Sequence, residues 1–551
     1  MPRASPPFSY KEIAPSLLNH LDLGSGDVDR LQPRTSSEET LMETTSYWLK
    51  SAGSGYPRLS SNLTVDVVVI GGGITGITAA YLFRKAGYSI ALLDRERCGG
   101  VDTGHTTAHL TGVTDKRLHQ LQDDFGSDNT QAVWHAGLAA LDQIAANVRA
   151  ENIDCEFKWV PGYLHLASDA DTNKESALLE KDVEVARQLE LSAEFVESVP
   201  YFNRPGIKFA NQAKFHPLKY LAALADTLPG EGSHVFENTE ATEFSENPLE
   251  VRTDKYKLSC SYIVLATHTP LMGKTGMLSA TLLQTKLDLY TSYVIGAEIP
   301  KGLIPEACFW DTDQPYHYLR IDPKRTVDFA IFGGEDHKTG QEGDVESVYR
   351  KLEQALRNII PKANPIQRWS GQVIETNDGL PFIGETANKQ FAATGFAGNG
   401  MTFGTLGAMM AVDAFLQRKN PWSRLFEVNR KKLIGGTWDY LRENKDYPYY
   451  LLRDWLAGAE ANSWDELKKD EGMIINLDGK KVAAYRDARG KVSFCSPVCT
   501  HLKCIVAWNN AEKTWDCPCH GSRFKPTGEV LAGPAEADLE KLPIPVVQDA
   551  K

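Results

Sequence analysis

The stretch LTVDVVVIGGGITGITAAYLFRKAGYSIALLD, residues 63–94, decides the first part of the fold. Residues 63–70 form a short apolar run rich in β-branched residues, which is typical of a buried parallel strand. Residues 71–76 predict a glycine-rich turn, residues 74–86 a helix and residues 88–94 a second apolar strand. Together they predict a βαβ unit that opens a doubly wound α/β sheet.

The turn carries the spacing of a dinucleotide-binding loop. Gly71, Gly73 and Gly76 match G-x-G-x-x-G between a strand and a helix. Glycines at these positions permit a tight turn and close approach of a pyrophosphate to the helix N-terminus. Asp94 ends the second strand, where a carboxylate can accept hydrogen bonds from ribose. The pattern predicts dinucleotide binding, and the glycines alone do not separate FAD from NAD.

Composition narrows the class of protein further. The chain has 551 residues and a net charge of −13, with 42% apolar and 24% charged residues. This length predicts two to four domains, and the acidic balance argues against broad binding to nucleic acid phosphates. Apolar runs are too short for a membrane helix, and the first 20 residues show no secretory leader, so we expect a cytoplasmic protein. Nine cysteines in so long a chain do not indicate a disulfide scaffold.

Changes in composition and in hydrophobic pattern along the sequence predict the domain organisation of the chain. Residues 1–60 indicate a poorly ordered N-terminal arm that docks through Tyr47-Trp48-Leu49, and residues 61–435 indicate the first large domain. Helical patterns at 131–149 and 175–189 and a β-rich stretch at 282–299 place a substrate subdomain at roughly 126–200 and 276–365. Residues 436–464 indicate an aromatic connector, and residues 465–551 a small domain of short strands.

Four further motifs, in order, resemble the D-amino acid and glycine oxidase (DAO) type of FAD-dependent oxidoreductase. They are Phe215-His216-Pro217 before a helix, YIVLAT at 262–267, WSG at 369–371 with NDGLPFIG at 377–384, and GFAGNGMT at 395–402. The resemblance covers most of residues 64–415. It implies an α/β, Rossmann-like FAD-binding domain of the glutathione-reductase type with a β-rich substrate domain.

The resemblance also implies which residues bind FAD. They are Gly71, Gly73, Ile74, Thr75, Gly76, Asp94, Arg95, Thr106, Thr107, Ala266, Thr267, Gly371, Asp378, Gly398, Asn399, Gly400, Met401 and Thr402.

The substrate side departs from the family pattern. Members that oxidise amino acids usually carry a carboxylate-binding arginine two residues after the W-x-G glycine, and this chain has Val373 there. Arg320 could substitute, or it could be a surface arginine. His105 lies in a T-x-H pattern similar to that of the dimethylglycine dehydrogenase branch, which makes it a candidate for a covalent flavin link; we favour a noncovalent contact. The catalytic residues stay unassigned, with His105, His317, Arg320 and His337 as candidates.

Five cysteines are concentrated between residues 495 and 519. Cys499 and His501, followed by Cys517 and His520, form C-x-H and C-x-x-H pairs that could bind one Zn²⁺. The extended context CTHLKC…CPCHGS instead resembles the Rieske [2Fe–2S] domain over about residues 465–545. That resemblance implies a small all-β domain in which the two cysteines hold one iron and the two histidines hold the other.

Two further pairs of residues matter for the cluster. By the same resemblance, Cys504 and Cys519 form a disulfide that joins the two cluster loops. Ser522 matches a hydroxyl that hydrogen-bonds a cluster sulfur in high-potential members, while Phe524 stands where those members have tyrosine. Because one donor is missing, we expect a reduction potential below that of quinol-oxidising Rieske proteins.

These features favour an oxidoreductase that oxidises a small amine or amino-acid-like substrate at FAD. Electrons would then pass singly through the cluster to an external one-electron acceptor. The alternatives are a CH–OH donor, a non-catalytic redox or electron-carrier protein, and a Rieske oxygenase. The oxygenase would need an iron site, superficially offered by Asp102, His105 and His109, but the domain order argues against it. The oligomeric state is left open.

Overall fold

A computed structural model describes residues 42–543, except residues 52, 54, 169, 271–285, 431–452, 454–457, 462 and 478. Residues 1–41 of the predicted arm and most of the predicted connector at 436–464 therefore lie outside the described residues. Of the helices that the structure describes, none combines the length and apolar character needed to cross a membrane.

The described helices alternate with many short strands. The helices are α1 Ile74–Lys85, α2 Leu118–Phe125, α3 Ser127–Ala150, α4 Thr172–Gln188, α5 Pro217–Asp226, α6 Val345–Ile359 and α7 Gly400–Phe415. The strands up to residue 265 are β1 Leu63–Thr64, β2 Val67–Ile70, β3 Ile90–Leu93, β4 His109–Leu110, β5 Lys158–His165, β6 Ala193–Val196, β7 Gly206–Lys214, β8 His234–Phe236, β9 Glu243–Glu246, β10 Leu249–Arg252, β11 Lys257–Ser259 and β12 Tyr262–Leu265. The later strands are β13 Leu287–Ile299, β14 Cys308–Asp311, β15 Tyr318–Pro323, β16 Asp328–Lys338, β17 Asn364–Thr376, β18 Phe382–Ala387, β19 Gln390–Thr394, β20 Glu471–Leu477, β21 Lys480–Arg486, β22 Val492–Cys495, β23 Ala507–Asn509, β24 Thr514–Asp516, β25 Arg523–Phe524, β26 Val530–Ala532 and β27 Lys541–Leu542.

The first sheet has the order β18-β19-β12-β2-β3-β8 and is parallel from β19 to β8. Alternate residues of β2 face opposite sides: Val67 and Val69 pack with α1 and α7, while Val68 and Ile70 join a core with the small sheet β1-β11-β10-β9. A strand covered on both faces must be apolar throughout, as residues 67–70 are. The predicted α/β class is confirmed.

The single strand expected over residues 63–70 is wrong in one respect. Leu63–Thr64 pairs with β11 in the small sheet, whereas Val67–Ile70 pairs with β12 and β3 in the parallel sheet. The break falls at Asp66, whose carboxylate accepts hydrogen bonds from the Ser89 backbone N–H at 2.8 Å and hydroxyl at 2.7 Å. This half-buried polar anchor separates the two strands.

The expected β-rich substrate domain is a second, larger sheet. Its strands run β17-β13-β16-β15-β14-β5-β7-β4, with β6 paired to β7. Helix α6 covers one face, where Leu352 and Leu356 pack with Ile295 and Phe332. The opposite face turns toward the parallel sheet, and the two sheets enclose the large cavity described below.

The last part of the chain forms the expected small all-β domain. Two four-stranded sheets, β20-β21-β22-β27 and β23-β24-β25-β26, are antiparallel throughout. Trp515 and Phe524, both fully buried, pack with Val530 in a core that also contains Cys499 and Cys517. The predicted ligand cysteines are therefore part of the domain core.

The expected docking at Tyr47-Trp48 is confirmed, but the packed segment is longer than predicted. Trp48 is 1% exposed, and its indole Nε1 donates to Thr106 O at 2.5 Å. Tyr47 stacks on Phe329 with 4.5 Å between ring centroids, and Glu43 N donates to a carbonyl of β17. The described residues of the predicted arm, from residue 42 onward, therefore belong to the folded domain.

Replacing Trp48 with alanine tests this docking. We expect a loss of about 3 kcal/mol or more of unfolding free energy, because a buried indole is removed and a cavity remains. FAD content should also fall, because the indole holds the Thr106 carbonyl. Scanning calorimetry and flavin absorbance check both effects. Trp159, 41% exposed, is the matched control, and an equal effect of Trp159→Ala would contradict the argument.

Candidate flavin and cluster sites

The turn between β2 and α1 leaves room for a ligand against the backbone. Gly71 has φ +103°, and a Cβ there would overlap Ala266 O. A Cβ at Gly76 would overlap Gly71 O, so this glycine lets the helix approach the strand. Gly73 caps α1, and the first N–H of the helix, at Ile74, donates to Thr103 Oγ1 at 3.2 Å; the helix N-terminus lies at the cavity, where its dipole favours an anion. These residues fit the pyrophosphate of FAD.

Asp94 lies beside this turn. Its Oδ2 accepts from Gly72 N at 2.7 Å and its Oδ1 from Glu96 N at 2.8 Å. Burial raises the pKa of this carboxyl group, while the two backbone N–H groups and Arg95 oppose the shift. The same carboxylate also faces the cavity, in the place expected for ribose recognition.

A second group of loops closes the other end of the predicted FAD site. Gly398 lies in a 3-10 turn that leads into α7, Asn399 is the N-cap, and Gly400 begins the helix, whose dipole favours negative charge at this end. Gly371 approaches the loop 105–107 so closely that a Cβ would lie 3.0 Å from His105 O. Trp369 Nε1 donates to the same carbonyl at 3.0 Å. Strand β17 therefore holds the loop in place.

The two ends belong to one cavity of about 550 Å³. Most of the predicted FAD-binding residues line it: Gly71, Gly73, Ile74, Thr75, Asp94, Arg95, Thr106, Thr107, Ala266, Thr267, Gly371, Gly398, Asn399, Gly400 and Met401.

The other three predicted FAD-binding residues do not line the cavity, and each contacts other residues of the protein. Gly76 packs against Gly71, as described above. Asp378 pairs with Arg430 Nη2 at 2.7 Å, and Thr402 donates to Thr111 O at 2.8 Å. Their supporting contacts shape the loops around the cavity.

The four catalytic candidates occupy different places. His105 lines the cavity, and its Nδ1 lies 2.6 Å from Val101 O, so Nδ1 donates a hydrogen bond to that carbonyl. His317 stacks on Phe332 and contacts Asp311 and Glu335. His337 stacks on Tyr293 in a small cleft beside the last domain. A catalytic role for these histidines stays a prediction.

Arg320 is neither exposed nor free to clamp a carboxylate. It is 1% exposed, and its Nε and Nη2 bind the carboxylate of Asp322 at 2.9 and 3.1 Å. Its Nη1 donates to the carbonyls of Thr107 and Ala108. Every nitrogen of the guanidinium is bound to a protein acceptor. Arg320 therefore holds the loop of residues 105–108, which we call the flavin loop.

Sequence reasoning missed a set of polar side chains on the cavity wall. Ser292 donates to Asp336 Oδ1 at 2.6 Å, and the Ser292 and Tyr318 hydroxyls are also 2.6 Å apart. Asp115 accepts from Gly398 N at 2.8 Å and from the Tyr316 hydroxyl at 3.1 Å. The signal available was the stretch 331–337 at a strand end, but sequence does not show which side chain faces the cavity.

The predicted cluster ligands are brought together by two loops of the small domain. The Cys499 and Cys517 thiols contact each other, and this contact lowers the pKa of Cys499 and raises that of Cys517. The His501 and His520 rings lie 5.0 Å apart between centroids. Burial lowers the pKa of both histidines to about 4, which favours the neutral imidazole that binds metal.

The surroundings also fit a [2Fe–2S] cluster. His501 Nδ1 is buried and has no hydrogen-bond partner among the described residues, as expected of a ligand atom. Cys504 and Cys519 are joined by the expected disulfide. Their sulfurs lie near Cys517, but disulfide bonding removes them from the set of metal ligands.

The cluster loops lie directly against the large sheet. Gln372 Nε2 donates to Gly521 O at 2.8 Å and to Thr339 Oγ1 at 3.2 Å, while Gln341 Nε2 donates to Pro518 O at 3.0 Å. Gly521 has φ +69°, and a Cβ there would lie 2.7 Å from Leu289 Cβ. Gly371 and Gln372 both line the cavity, so this strand joins the cavity wall to the cluster loop. The small domain also lines the cavity directly, through Leu531, Ala532, Gly533 and Ala535.

Comparison with known proteins agrees with both sites. Residues 66–414 match the model of the FAD dependent oxidoreductase (DAO) family, and residues 459–543 match the Rieske [2Fe–2S] domain. The chain belongs to the DAO family of FAD-dependent oxidoreductases and carries a Rieske domain after it. It binds FAD in the first part and a [2Fe–2S] cluster in the second.

Three known proteins are similar to all or part of this chain. The chain is 31% identical over 504 residues to the Rieske 2Fe-2S iron-sulfur protein YhfW of Bacillus subtilis (strain 168), covering 90% of this chain and 97% of the relative. It is 24% identical to gamma-glutamylputrescine oxidoreductase of Escherichia coli (strain K12), covering 65% and 86%. The fold is similar to glycine oxidase from Geobacillus kaustophilus, with a TM-score of 0.55, 15% identity, and 68% and 100% coverage.

Ser522 offers a direct test of cluster tuning. Its side chain is fully buried and its hydroxyl contacts the Cys499 thiol. Ser522→Ala should lower the cluster midpoint potential by roughly 60 to 130 mV, the one-electron equivalent of a charge-assisted hydrogen bond of about 1.5–3 kcal/mol. Phe524→Tyr should raise the potential by adding a donor.

Redox titration followed by electron paramagnetic resonance gives both values. Ser493→Ala is the matched control, because Ser493 lies in the same domain and donates to Tyr485 O. A shift in the control as large as that of Ser522→Ala would refute the assignment.

Proposed function

We propose that this protein oxidises the C–N bond of a small amine and delivers the electrons singly to an external one-electron acceptor. The observation that carries the proposal is the contact between Gln372 and Gly521, which places the cluster loop on the strand that lines the flavin cavity. When bound, FAD supplies two-electron oxidation and the Rieske cluster supplies one-electron transfer.

The protein's own residues position these groups. The N-terminus of α7 places backbone N–H groups toward the predicted flavin site, where they favour negative charge. Trp369 and Arg320 hold the 105–108 loop from two sides. Such fixed geometry lets a substrate react with little reorganisation, which is the usual protein contribution in cofactor enzymes.

A C–N donor is favoured over an alcohol. The relative from E. coli is named for gamma-glutamylputrescine and the solved structure for glycine, and both names denote compounds that contain C–N bonds. Val373 occupies the position where amino acid oxidases of the family usually have arginine. We therefore place a CH–NH donor first and a CH–OH donor second.

A non-catalytic redox protein is the second candidate. The cavity argues against a non-catalytic role, because Ser292, Asp336 and Tyr318 form a hydrogen-bonded polar cluster on its wall. A pocket without a substrate would not need such groups.

Anaerobic stopped-flow mixing of the holoenzyme with amines, amino acids and hydroxy acids tests the proposal. We expect flavin bleaching followed by the electron paramagnetic resonance signal of the reduced cluster. Bleaching with the cluster left oxidised would contradict internal transfer. Failure of every compound to bleach the flavin would favour the redox-protein alternative.

Gln372→Leu tests the route between the sites. The variant removes two hydrogen bonds and leaves Gly521 O unpaired, a loss of about 1–3 kcal/mol in the contact. The ratio of cluster reduction rate to flavin reduction rate should fall about tenfold. Gln341→Leu, which removes the bond to Pro518 O, is the control for docking strength alone. Equal slowing in both variants would show that the Gln372 strand has no special role.

A further inference from the structure

The substrate side of the cavity contains a small chamber defined by Asp115, Ser292, Tyr316, Tyr318 and Asp336. All five side chains line the cavity. Among the described residues, Ser292 is the hydrogen-bond donor to Asp336, at Oδ1, so Oδ2 remains for a ligand. Asp115 lies across the chamber, where it accepts hydrogen bonds from Gly398 N, just before α7, and from the Tyr316 hydroxyl.

This chamber contains two carboxyl groups whose pKa values are raised. Burial raises the pKa of Asp336 to about 7; the Ser292 hydroxyl lowers it, and Asp115 raises it further. Burial also raises the pKa of Asp115. The other charged groups that face Asp336 are His317, which favours the carboxylate, and Glu335, which opposes it. Two carboxyl groups thus share an enclosed space in which a cation would stabilise both.

The nearby basic side chains are already balanced by acids. Arg117 binds Asp182 at 2.6 Å and Glu175 at 3.3 Å, so its charge is exceeded by two carboxylates, although its Nη2 has no hydrogen-bond partner among the described residues. Lys116 pairs with Asp124. Arg320 is committed to Asp322, as described above.

Aromatic rings form the rest of this wall. The Tyr318 ring lies over Gly333, where a Cβ would overlap it, and Trp310 lies over Gly162, where a Cβ would come within 2.8 Å. Phe209 stacks on Trp310 with 5.8 Å between centroids. The cavity therefore offers an apolar surface beside its acidic chamber, which suits an organic cation better than a metal ion.

We propose that Asp336, supported by Ser292, Tyr318 and Asp115, binds the ammonium group of a cationic amine substrate that needs no α-carboxylate. This inference rests on the proposed function, since it names the substrate class of the same site. The Oδ2 of Asp336 accepts an N–H of the ammonium group, and the amine body lies on the aromatic wall.

Asp336 also takes up a proton. Transfer from the ammonium group breaks one N–H bond, forms one O–H bond on Asp336 and leaves a neutral amine with a free lone pair on nitrogen. A carboxyl group with a pKa near neutrality is suited to this exchange. The nitrogen lone pair is what makes the adjacent C–H bond oxidisable.

Binding of ligands that cannot be oxidised tests the proposal without turnover. The probes are 2-phenylpropan-2-amine, 2-phenylpropan-2-ol and 2-methyl-2-phenylpropanoate, which share a body but lack a C–H on the substituted carbon. Calorimetry with FAD-loaded, cluster-loaded protein at pH 8 should show at least tenfold tighter binding of the amine. Equal binding of the three, tighter binding of the carboxylate, or no binding of any would overturn the proposal.

Two matched variants locate the effect. Asp336→Asn should weaken amine binding about tenfold and leave alcohol binding unchanged. Glu298→Gln removes one negative charge from the same sheet, at the far end of β13, and should bind all three as the parent does. An Asp336→Asn protein that keeps its amine preference and its FAD content would also overturn the proposal.

The pH dependence adds a readout that a purely structural role would not produce. Below about pH 7 Asp336 is protonated, so amine affinity should rise as pH increases from 5.5 to 7 and level off above it. In Asp336→Asn this rise should disappear, and its persistence would overturn the assignment of the ammonium site to Asp336. Ligand binding does not require reduction of the cluster. Failure of this binding prediction would therefore leave the proposed electron route standing, and the stopped-flow experiment would still test that route.

Discussion

A buried ion-pair network at Arg320 and Asp322 holds the substrate sheet, the flavin loop and the N-terminal segment together. Asp322 binds Arg320 through both oxygens and also accepts from Lys214 Nζ at 2.6 Å. Burial alone would raise the pKa of Asp322, but Arg320 and Lys214 outweigh it and hold that pKa well below its ordinary value. Arg320 also lies over the Trp48 ring. Removing one member would leave an uncompensated buried charge.

The position of the flavin loop follows from this network. Arg320 Nη1 binds two consecutive carbonyls, and the second belongs to Ala108, a non-glycine residue with φ +56°. A left-handed alanine is unfavourable and persists where surrounding contacts fix it. Trp369 and Trp48 bind the neighbouring carbonyls of His105 and Thr106. The loop is thus fixed by side chains from three separate parts of the chain.

Much of the fold could be predicted because its signals are local. A glycine turn between two apolar runs, or cysteine and histidine at fixed spacing, carries its meaning within a few residues. The role of Arg320 could not be predicted from the sequence, since only the tertiary structure brings Asp322 and the carbonyls of residues 107 and 108 to it. Asp336 was missed for the same reason: its neighbours Ser292 and Asp115 are distant in sequence, and the cavity exists only after the two sheets pack.

The acidic chamber and the docked cluster are consistent with one reaction. As a carboxylate, Asp336 stabilises the incoming ammonium group, and once it has released the proton that it accepts, it stabilises the cationic iminium product of amine oxidation in the same way. The electrons need a short exit that does not pass through this charged chamber. Gln372 provides one on β17, the strand next to Ser292: its neighbour Gly371 lines the cavity and pairs with Ser292 in the sheet, while its side chain binds Gly521 of the cluster loop. In the proposed reaction, substrate charge and electron exit are therefore assigned to neighbouring strands of the same sheet.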